Sequence, residues 1–404
     1  MQRAIAEVLI TQKKYDEART KLLLLEKIQP HDEQVQFLLG LLDMQDKDFD
    51  SAIKRFHRVL VSQPKAVRVR LELGRAYFES GDYFDSERQF LFARAGNLPP
   101  AVQANVDRYL NAIRELKTLS FGVSFGIASD SNLNAGPAID SISLYGVPFQ
   151  LSQTAQANSG VGLAMDANME WTPRIAKQIK WRTGWLLHRS QYLKTLFDDM
   201  TLTGYSGPHI TLKRWDFNLL ANASRHWFGD HVFTDAYGGS LDATYYVTTR
   251  LGLTVGGALN HISYTQFPLQ SGNGSSVNLG AFYTPTTASF LQGSANFAWQ
   301  GAGDLSFANH LQQFGLNYSR EFKGGISMGL SPSYSRIDYI GFSSGFNATR
   351  KDRQYTMQFT ILDRRFDLGG FTPRIIYTYT RNDSNVPLYA FNRNRVEFGV
   401  TRSF

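Results

Sequence analysis

From residue 119 to the end of the chain, apolar side chains return at every second position through segments of about 10–14 residues, the length a tilted strand needs to cross a bilayer. One segment sets Phe121, Val123, Phe125 and Ile127 on one face, with Gly122, Ser124, Gly126 and Ala128 on the other. The next opposes Val161, Leu163, Met165, Ala167, Met169 and Trp171 to Gly162, Ala164, Asp166, Asn168 and Glu170. Ile179, Trp181, Trp185 and Leu187 then face away from Lys180, Arg182 and His188, and Trp215, Phe217, Leu219, Ala221 and Ala223 from Asp216, Asn218, Asn222 and Ser224. Soluble sandwiches also alternate, but their strands average about 5–6 residues. Aromatics gather near the ends of the apolar face, as at Trp171, Trp227, Phe322 and Phe404, where membrane interfaces hold them. The pattern predicts a transmembrane antiparallel β-barrel of about 14 strands over residues 119–404.

Loop lengths orient this barrel. Short links (Lys213–Asp216, Thr248–Arg250, Lys323–Gly325) alternate with longer polar ones (Ser129–Ser159, Phe267–Ser276, Tyr339–Asp352, Asn382–Asn394). Short turns belong to the periplasmic end, so an even strand count places both barrel termini there. Arg225, Arg320, Arg336 and Arg402 share parity with the apolar face but sit toward strand ends, within snorkelling reach of the interface. Gly204 and Ser206-Gly207-Pro208 predict a kink or bulge in the fourth strand. The last strand alternates Phe398, Val400 and Phe404, the terminal aromatic pattern that barrel-assembly machinery reads as an insertion signal.

The first 118 residues follow another rule. Pro30 and Pro64 are separated by 34 positions, as are Gly40 and Gly74; Tyr15, Phe49 and Tyr83, then Ala18, Ala52 and Ser86, and Leu22, Phe56 and Phe90 keep the same step. This is the tetratricopeptide pattern, in which helical hairpins must stack to bury their apolar stripes. It divides the segment into repeats at 1–32, 33–66 and 67–100, with a capping helix over 101–118. The whole chain thus reads as α+β multidomain: an all-α tetratricopeptide solenoid at 1–118, then the barrel. Such stacks bind peptide along the first helices of their hairpins. Phe37, Leu41 and Met44, with Arg68, Leu71, Arg75 and Phe78, are the candidate groove residues.

Composition narrows the chemistry. There is no cysteine, which excludes a disulfide framework or a thiolate metal site. No apolar run reaches the ~18 residues of a spanning helix. Met1 runs straight into helix-like sequence without a basic-then-apolar leader, as expected of a mature exported chain. The net charge of +7 comes with no nucleic-acid motif, so no nucleic acid is expected. His188 and His226 share presumed interior faces with Ser190 and Ser224, but no spacing marks them as catalytic, and neither enzyme activity, metal nor cofactor is expected. The interior carries both signs: Asp166, Glu170, Lys180, Arg182, Asp216, Asp242, Glu321, Arg374, Arg395 and Glu397. Interlocking charge of this kind points to a filled or gated lumen.

After the first strand, Phe121-Gly122-Val123-Ser124-Phe125-Gly126-Ile127-Ala128 leads into Ser129-Asp130-Ser131-Asn132-Leu133-Asn134. This Gly-rich strand with its Asp-Ser-Asn-x-Asn turn, behind helical repeats, resembles the surface lipoprotein assembly modulator (Slam) family over nearly the whole chain. Asp130, Asn132 and Asn134 also have a plain structural reading, since such side chains satisfy turn backbone. The resemblance implies an outer-membrane translocon with its repeats in the periplasm, passing client surface lipoproteins or related secreted proteins to the cell surface. Its implied partners are the client, outer-membrane lipid and the barrel-assembly machinery, with the protein itself monomeric. A polysaccharide-export barrel with periplasmic repeats and a passive porin or structural outer-membrane protein are the alternatives.

Overall fold

The computed structural model describes residues 2–403 except 97, 117 and 367–370. Three helical hairpins come first among the described residues: α1 (Gln2–Thr11) with α2 (Tyr15–Ile28), α3 (Glu33–Gln45) with α4 (Phe49–Ser62), and α5 (Val67–Ser80) with α6 (Tyr83–Arg94). The helix α7 (Pro100–Leu116) follows them. The 34-residue step has a packing cause. A Cβ on Gly40 would stand 2.7 Å from the Phe56 ring, and one on Gly74 3.1 Å from the Phe90 ring. Each glycine therefore lets a phenyl ring lie against helix backbone. In the first hairpin the same two positions hold Ala6 and Leu22, both fully buried. Asp32, Asp48 and Asp82 cap α3, α4 and α6 by accepting from backbone N–H groups three residues on.

The remainder is a closed antiparallel barrel. Its fourteen strands are β1 (Leu119–Asp130), β4 (Gly160–Trp171), β6 (Ile179–Tyr192), β7 (Asp199–Leu212), β8 (Trp215–Phe228), β9 (His231–Tyr246), β10 (Leu251–Tyr264), β11 (Gly272–Thr286), β12 (Ser289–Gln300), β13 (Asn309–Glu321), β14 (Ile326–Tyr339), β15 (Lys351–Asp363), β16 (Thr372–Ser384) and β17 (Phe391–Ser403). Neighbours in sequence pair in order, and β1 closes the ring on β17 from Gly122↔Ser403 to Asp130↔Arg395. A hairpin of β2 (Ser141–Leu144) and β3 (Val147–Gln150) stands in the first long loop, and the short β5 (Arg174–Ala176) extends the turn before β6. Ile127 (57% exposed), Leu163 (61%) and Leu259 (70%) project outward, as lipid-facing residues must.

Several local expectations change. The Ser206-Gly207-Pro208 run makes no bulge: Ser206↔Ala221 and His209↔Asn218 keep one register, and only the two intervening pairs with β8 are missing. Proline has no N–H to donate, and a Cβ on Gly207 would collide with the Leu219 carbonyl. The irregularities fall instead at His226/Trp227 and between Tyr283 and Thr286. Two of the longer links are shorter than expected, because β11 begins at Gly272 and β16–β17 pairing extends to Asn382↔Phe391. Between β8 and β9 the link is only Gly229-Asp230, both at positive φ, a tight hairpin turn at the long-loop end. The outward arginines find partners: Arg225 pairs with Asp235 at 2.6 Å and Arg336 with Asp338 at 2.7 Å, while Arg320 lies over Phe322 and Arg402 over Phe371.

Phe56→Ala removes a ring packed on glycine backbone and is expected to cost the helical domain about 3–5 kcal/mol. Helical circular dichroism should melt at lower temperature while the barrel keeps its heat-modifiable gel mobility; loss of both together would contradict separate cores.

Candidate functional site: helical groove, domain junction, lumen and first loop

The groove candidates divide by burial. Phe37 is 5% exposed and belongs to the core with Phe56, Val69 and Leu73, so its ring lies beneath the surface, and Arg68 stacks over it at 5.0 Å. Leu41 and Met44 are half-buried beside that core. Phe78 packs edge-on against Tyr83 and Tyr109, with Leu71 in the same cluster. Arg75 is exposed and pairs with Glu72 at 2.8 Å. What the first helices of the hairpins present is therefore an apolar shelf bordered by arginine.

The helical domain is fixed to the short-turn end of the barrel. Arg70, only 1% exposed, donates to the Pro64 carbonyl and to Gln89 Oε1 (2.9 Å) and forms an ion pair with Glu321 at the end of β13. Arg364, in the β15–β16 turn, lies 3.7 Å from the same carboxylate. The Gly324 N–H, in the β13–β14 turn, donates to the Val61 carbonyl of α4. His57, on α4, lies with its Nε2 2.7 Å from the Tyr77 hydroxyl. Burial, reinforced by the Arg364 charge, holds the His57 pKa down to about 4, so its ring is neutral. Burial likewise raises Tyr77.

The repeat register carried a signal for this junction that sequence reading missed. Gln36 and Arg70 occupy the same repeat position, as do Arg55 and Gln89. In the second hairpin Arg55 donates to Gln36 (3.0 Å) and pairs with Glu26 and Asp43 inside the helical domain. In the third hairpin the two residue types are exchanged, so the guanidinium stands on the other helix and reaches the barrel.

Inside the barrel the charges interlock in two groups. Arg374 bridges Glu397 (2.5 Å) and Asp166 (3.2 Å), while Asp166 also accepts from Ser124 (2.9 Å) and meets His188 Nδ1 at 2.7 Å. Asp166, His188, Arg374 and Glu397, with Arg393 and Arg395, line a cavity of about 300 Å³. The second group joins Glu170 to Arg182 and Tyr205, Arg182 to Asn218, and Asn218 to Asp242. The Ser190–His188–Asp166 order resembles a hydrolase triad. However, Ser190 Oγ is buried, accepts from Arg395 at 3.2 Å, and stands 3.4 Å from His188 Nε2. Its lone pair is engaged by a guanidinium, which suits a lattice member better than a nucleophile. His226 meets Asp199 at 3.1 Å.

The first-loop motif lies at the opposite end. Asp130, 2% exposed, takes a two-pronged ion pair from Arg393 of β17 and accepts from the Asn132 N–H at 2.9 Å. Asn132 donates to the Gly136 and Asn392 carbonyls and accepts from the Gly136 N–H. Asn134 donates to the carbonyls of Thr154 and Gln156 and accepts from the Asn158 N–H. The three side chains thus build the foot of the loop, and none is left free for a ligand. At the C-terminus Phe398 faces outward (59% exposed) and Val400 shares its parity; Phe404 lies outside the described residues.

A closed fourteen-strand barrel with an apolar exterior and a charged interior is an outer-membrane barrel, here preceded by stacked helical hairpins. The family model described as surface lipoprotein assembly modifier matches residues 120–404, and the chain belongs to that family. Similar proteins include surface lipoprotein assembly modifier 1 of Neisseria meningitidis, 22% identical over 90% of this chain and 74% of that one. Surface lipoprotein assembly modifier 1 of Haemophilus influenzae is 20% identical over 95% of this chain and 81% of its own length. The hemophilin secretion modulator of Acinetobacter baumannii is 22% identical over 90% and 76%, respectively. Among solved structures, the outer-membrane channel DcaP of Acinetobacter baumannii matches 71% of this chain and 96% of its own at 9% identity and a TM-score of 0.41.

Two outcomes follow at the junction. Arg70→Met takes from Glu321 its nearest partner while Arg364 stays 3.7 Å away, and is expected to weaken docking by about 1–3 kcal/mol; adding Glu321→Leu leaves Arg364 without that carboxylate and should not restore it. Hydrogen exchange in the turn at residues 322–325 reads the difference. The His57 pKa lies below its ordinary value, so its contribution to stability is complete above about pH 6.5 and is lost as pH falls toward about 4. Melting temperature against pH should show that slope, and His57→Gln should flatten it.

Proposed function

We propose that this protein moves client surface lipoproteins, or related secreted proteins, from the periplasm to the cell surface, with its helical repeats engaging the client on the periplasmic side. The observation that carries this reading is the seating of a helical repeat stack on the short-turn end of a barrel whose family is named for surface lipoprotein assembly. Short turns face the periplasm in barrels of this kind, so the stack meets a client before the lumen does. The Acinetobacter relative, named for secretion of hemophilin, motivates the inclusion of secreted clients.

In this reading Leu41, Met44, Leu71 and Phe78 supply apolar contact to an extended or helical client segment, and Arg68 and Arg75 favour acidic flanks. Phe37 supports the shelf from beneath. Phe398, Val400 and Phe404 act during assembly of the barrel itself, as the strand read by the insertion machinery. On this reading the protein works as a monomer and without catalysis; His188 and Ser190 are held by Asp166 and Arg395 within the charge network.

Co-expression with a candidate lipoprotein, followed by surface labelling, tests the proposal. Display should depend on this protein and fall about tenfold or more in Leu71→Glu/Phe78→Glu, which places charge on the apolar shelf. Equal display with and without the protein would sink the export reading. Lost glycan secretion with normal lipoprotein display would favour polysaccharide export.

A further inference from the structure

The loop between β1 and β4, residues 131–159, is fixed very differently at its two ends. Its foot is held by the Asp130–Arg393 ion pair, by Asn132 and Asn134, and by two bonds to Asn394: the Ser131 N–H donates to its carbonyl, and its N–H to Ser131 Oγ. Leu133 is buried with Tyr192 and Phe197, at the β6–β7 connection, and Phe228 packs on them. The tip is the β2–β3 hairpin. There the Tyr145 N–H donates to the Gly345 carbonyl at 2.7 Å, and the Leu144 side chain lies against Gly345. Tyr145 (72% exposed), Val147 (63%) and Phe149 (54%) otherwise face open space.

The positions of these anchors decide what the loop does. The β6–β7 and β14–β15 connections have six strands between them on one side of the ring and eight on the other, so they stand almost across the mouth from each other. With neighbouring strands ~4.8 Å apart and tilted ~40°, a ring of this size is about 28 Å across. The β16–β17 connection lies between the loop's root and Gly345 in the ring order, and there Tyr389 is packed against Phe346 and Arg350. That contact keeps the β14–β15 loop in place as a landing site.

We propose that residues 131–159 form a strap that closes the external mouth of the barrel, hinged at the Asp130–Asn134 foot and released at the Tyr145–Gly345 contact when a polypeptide leaves. The asymmetry supports a strap and not a fixed plug. The foot combines a buried ion pair, an apolar cluster and many side-chain bonds to backbone, while among the described contacts the tip meets the β14–β15 loop through one backbone hydrogen bond and the Leu144 and Tyr145 side chains against Gly345, with Ile142 as its buried residue. A segment built this way opens at its tip while its foot stays folded. Closure of the mouth rests on this geometry alone; release during export also rests on the export reading above.

The chain has no cysteine, so the pair Tyr145→Cys/Gly345→Cys creates a unique cross-link. A second variant replaces residues 138–156 with a short Gly-Ser linker, its folding verified by heat-modifiable mobility. In planar bilayers the intact protein should conduct poorly, and the linker variant should conduct about tenfold more. Unchanged conductance in a folded linker variant would show that the strap does not close the mouth. In cells that display a client, the oxidised double-cysteine protein should lose display and regain it on reduction. Full display from the oxidised form would overturn release at this contact, even with the conductance result intact. Should the unmodified protein display no client at all, the export reading fails, and the bilayer measurement still decides whether the strap closes the mouth.

Discussion

Everything in this molecule depends on the closure of β1 against β17. An open sheet in hydrocarbon would expose two rows of unpaired N–H and C=O groups, each costing several kcal/mol, so the first and last strands have to meet. They meet closely: a Cβ on Gly399 would stand 2.2 Å from the Phe125 carbonyl oxygen, and one on Gly126 2.9 Å from that of Phe398. On the interior side of this seam the charged residues cross it. Arg393 of β17 reaches Asp130 of β1, and Arg374 of β16 reaches past both strands to Asp166 of β4. The same contacts that reinforce the seam build the foot of the external loop and the wall of the interior cavity. A change at the seam therefore reaches the mouth and the lumen together.

A second constraint joins the two domains. Repeat proteins settle most of their packing within and between neighbouring repeats: Gly40 and Gly74 seat Phe56 and Phe90 inside their hairpins, and the cluster of Phe37 and Phe56 with Val69 and Leu73 joins the second hairpin to the third. An array of this kind has no intrinsic reason to hold one orientation on a barrel. The exchange of Gln36/Arg55 for Arg70/Gln89 supplies it, because it moves a guanidinium from inside the stack to its barrel-facing side. An apolar replacement would bury as well, but would not favour one register over another. The Arg70–Glu321 pair needs one guanidinium position against one carboxylate, and the Val61–Gly324 backbone bond fixes it further.

The sequence was most readable where a period governs it. Alternation in Phe121–Ile127 or Val161–Trp171 depends only on which side of a strand meets lipid, and the 34-residue step only on hairpin stacking. Legibility ended where contacts join distant strands. Nothing near Asp130 announces Arg393, and nothing in Ser141–Gln150 announces Gly345. The Ser206-Gly207-Pro208 run misled because the composition of a bulge is also that of a continuous strand that merely lacks two pairings. Phe37 misled because the position facing a groove and the position filling the space beneath it differ by a fraction of a helical turn. The Arg/Gln exchange was visible at fixed spacing, but its meaning depends on a barrel residue 251 positions further along.

The two ends of the barrel differ in what can move. At the short-turn end, a buried ion pair, a backbone bond and the Val61 side chain against Gly325 tie the helical domain to the barrel. At the far end, the β10–β11, β12–β13 and β14–β15 loops are knitted together by backbone bonds such as Asp304 to Leu269 and Gly341 to Leu305. The β2–β3 hairpin has fewer ties to its neighbours among the described contacts, one backbone bond and the Leu144 and Tyr145 contacts at Gly345. If the export reading proposed above holds, the preorganised end is the entrance and the lightly held end the exit. A preorganised entrance costs little ordering when a client binds, while an exit that yields only under an arriving chain keeps the envelope sealed between clients. Reversing that arrangement, with a loose groove below and an open mouth above, would allow leakage without capture. On the export reading proposed above, the junction is the part of this chain that stays fixed and the β2–β3 hairpin the part that yields, while direction comes from the client's own folding or binding outside.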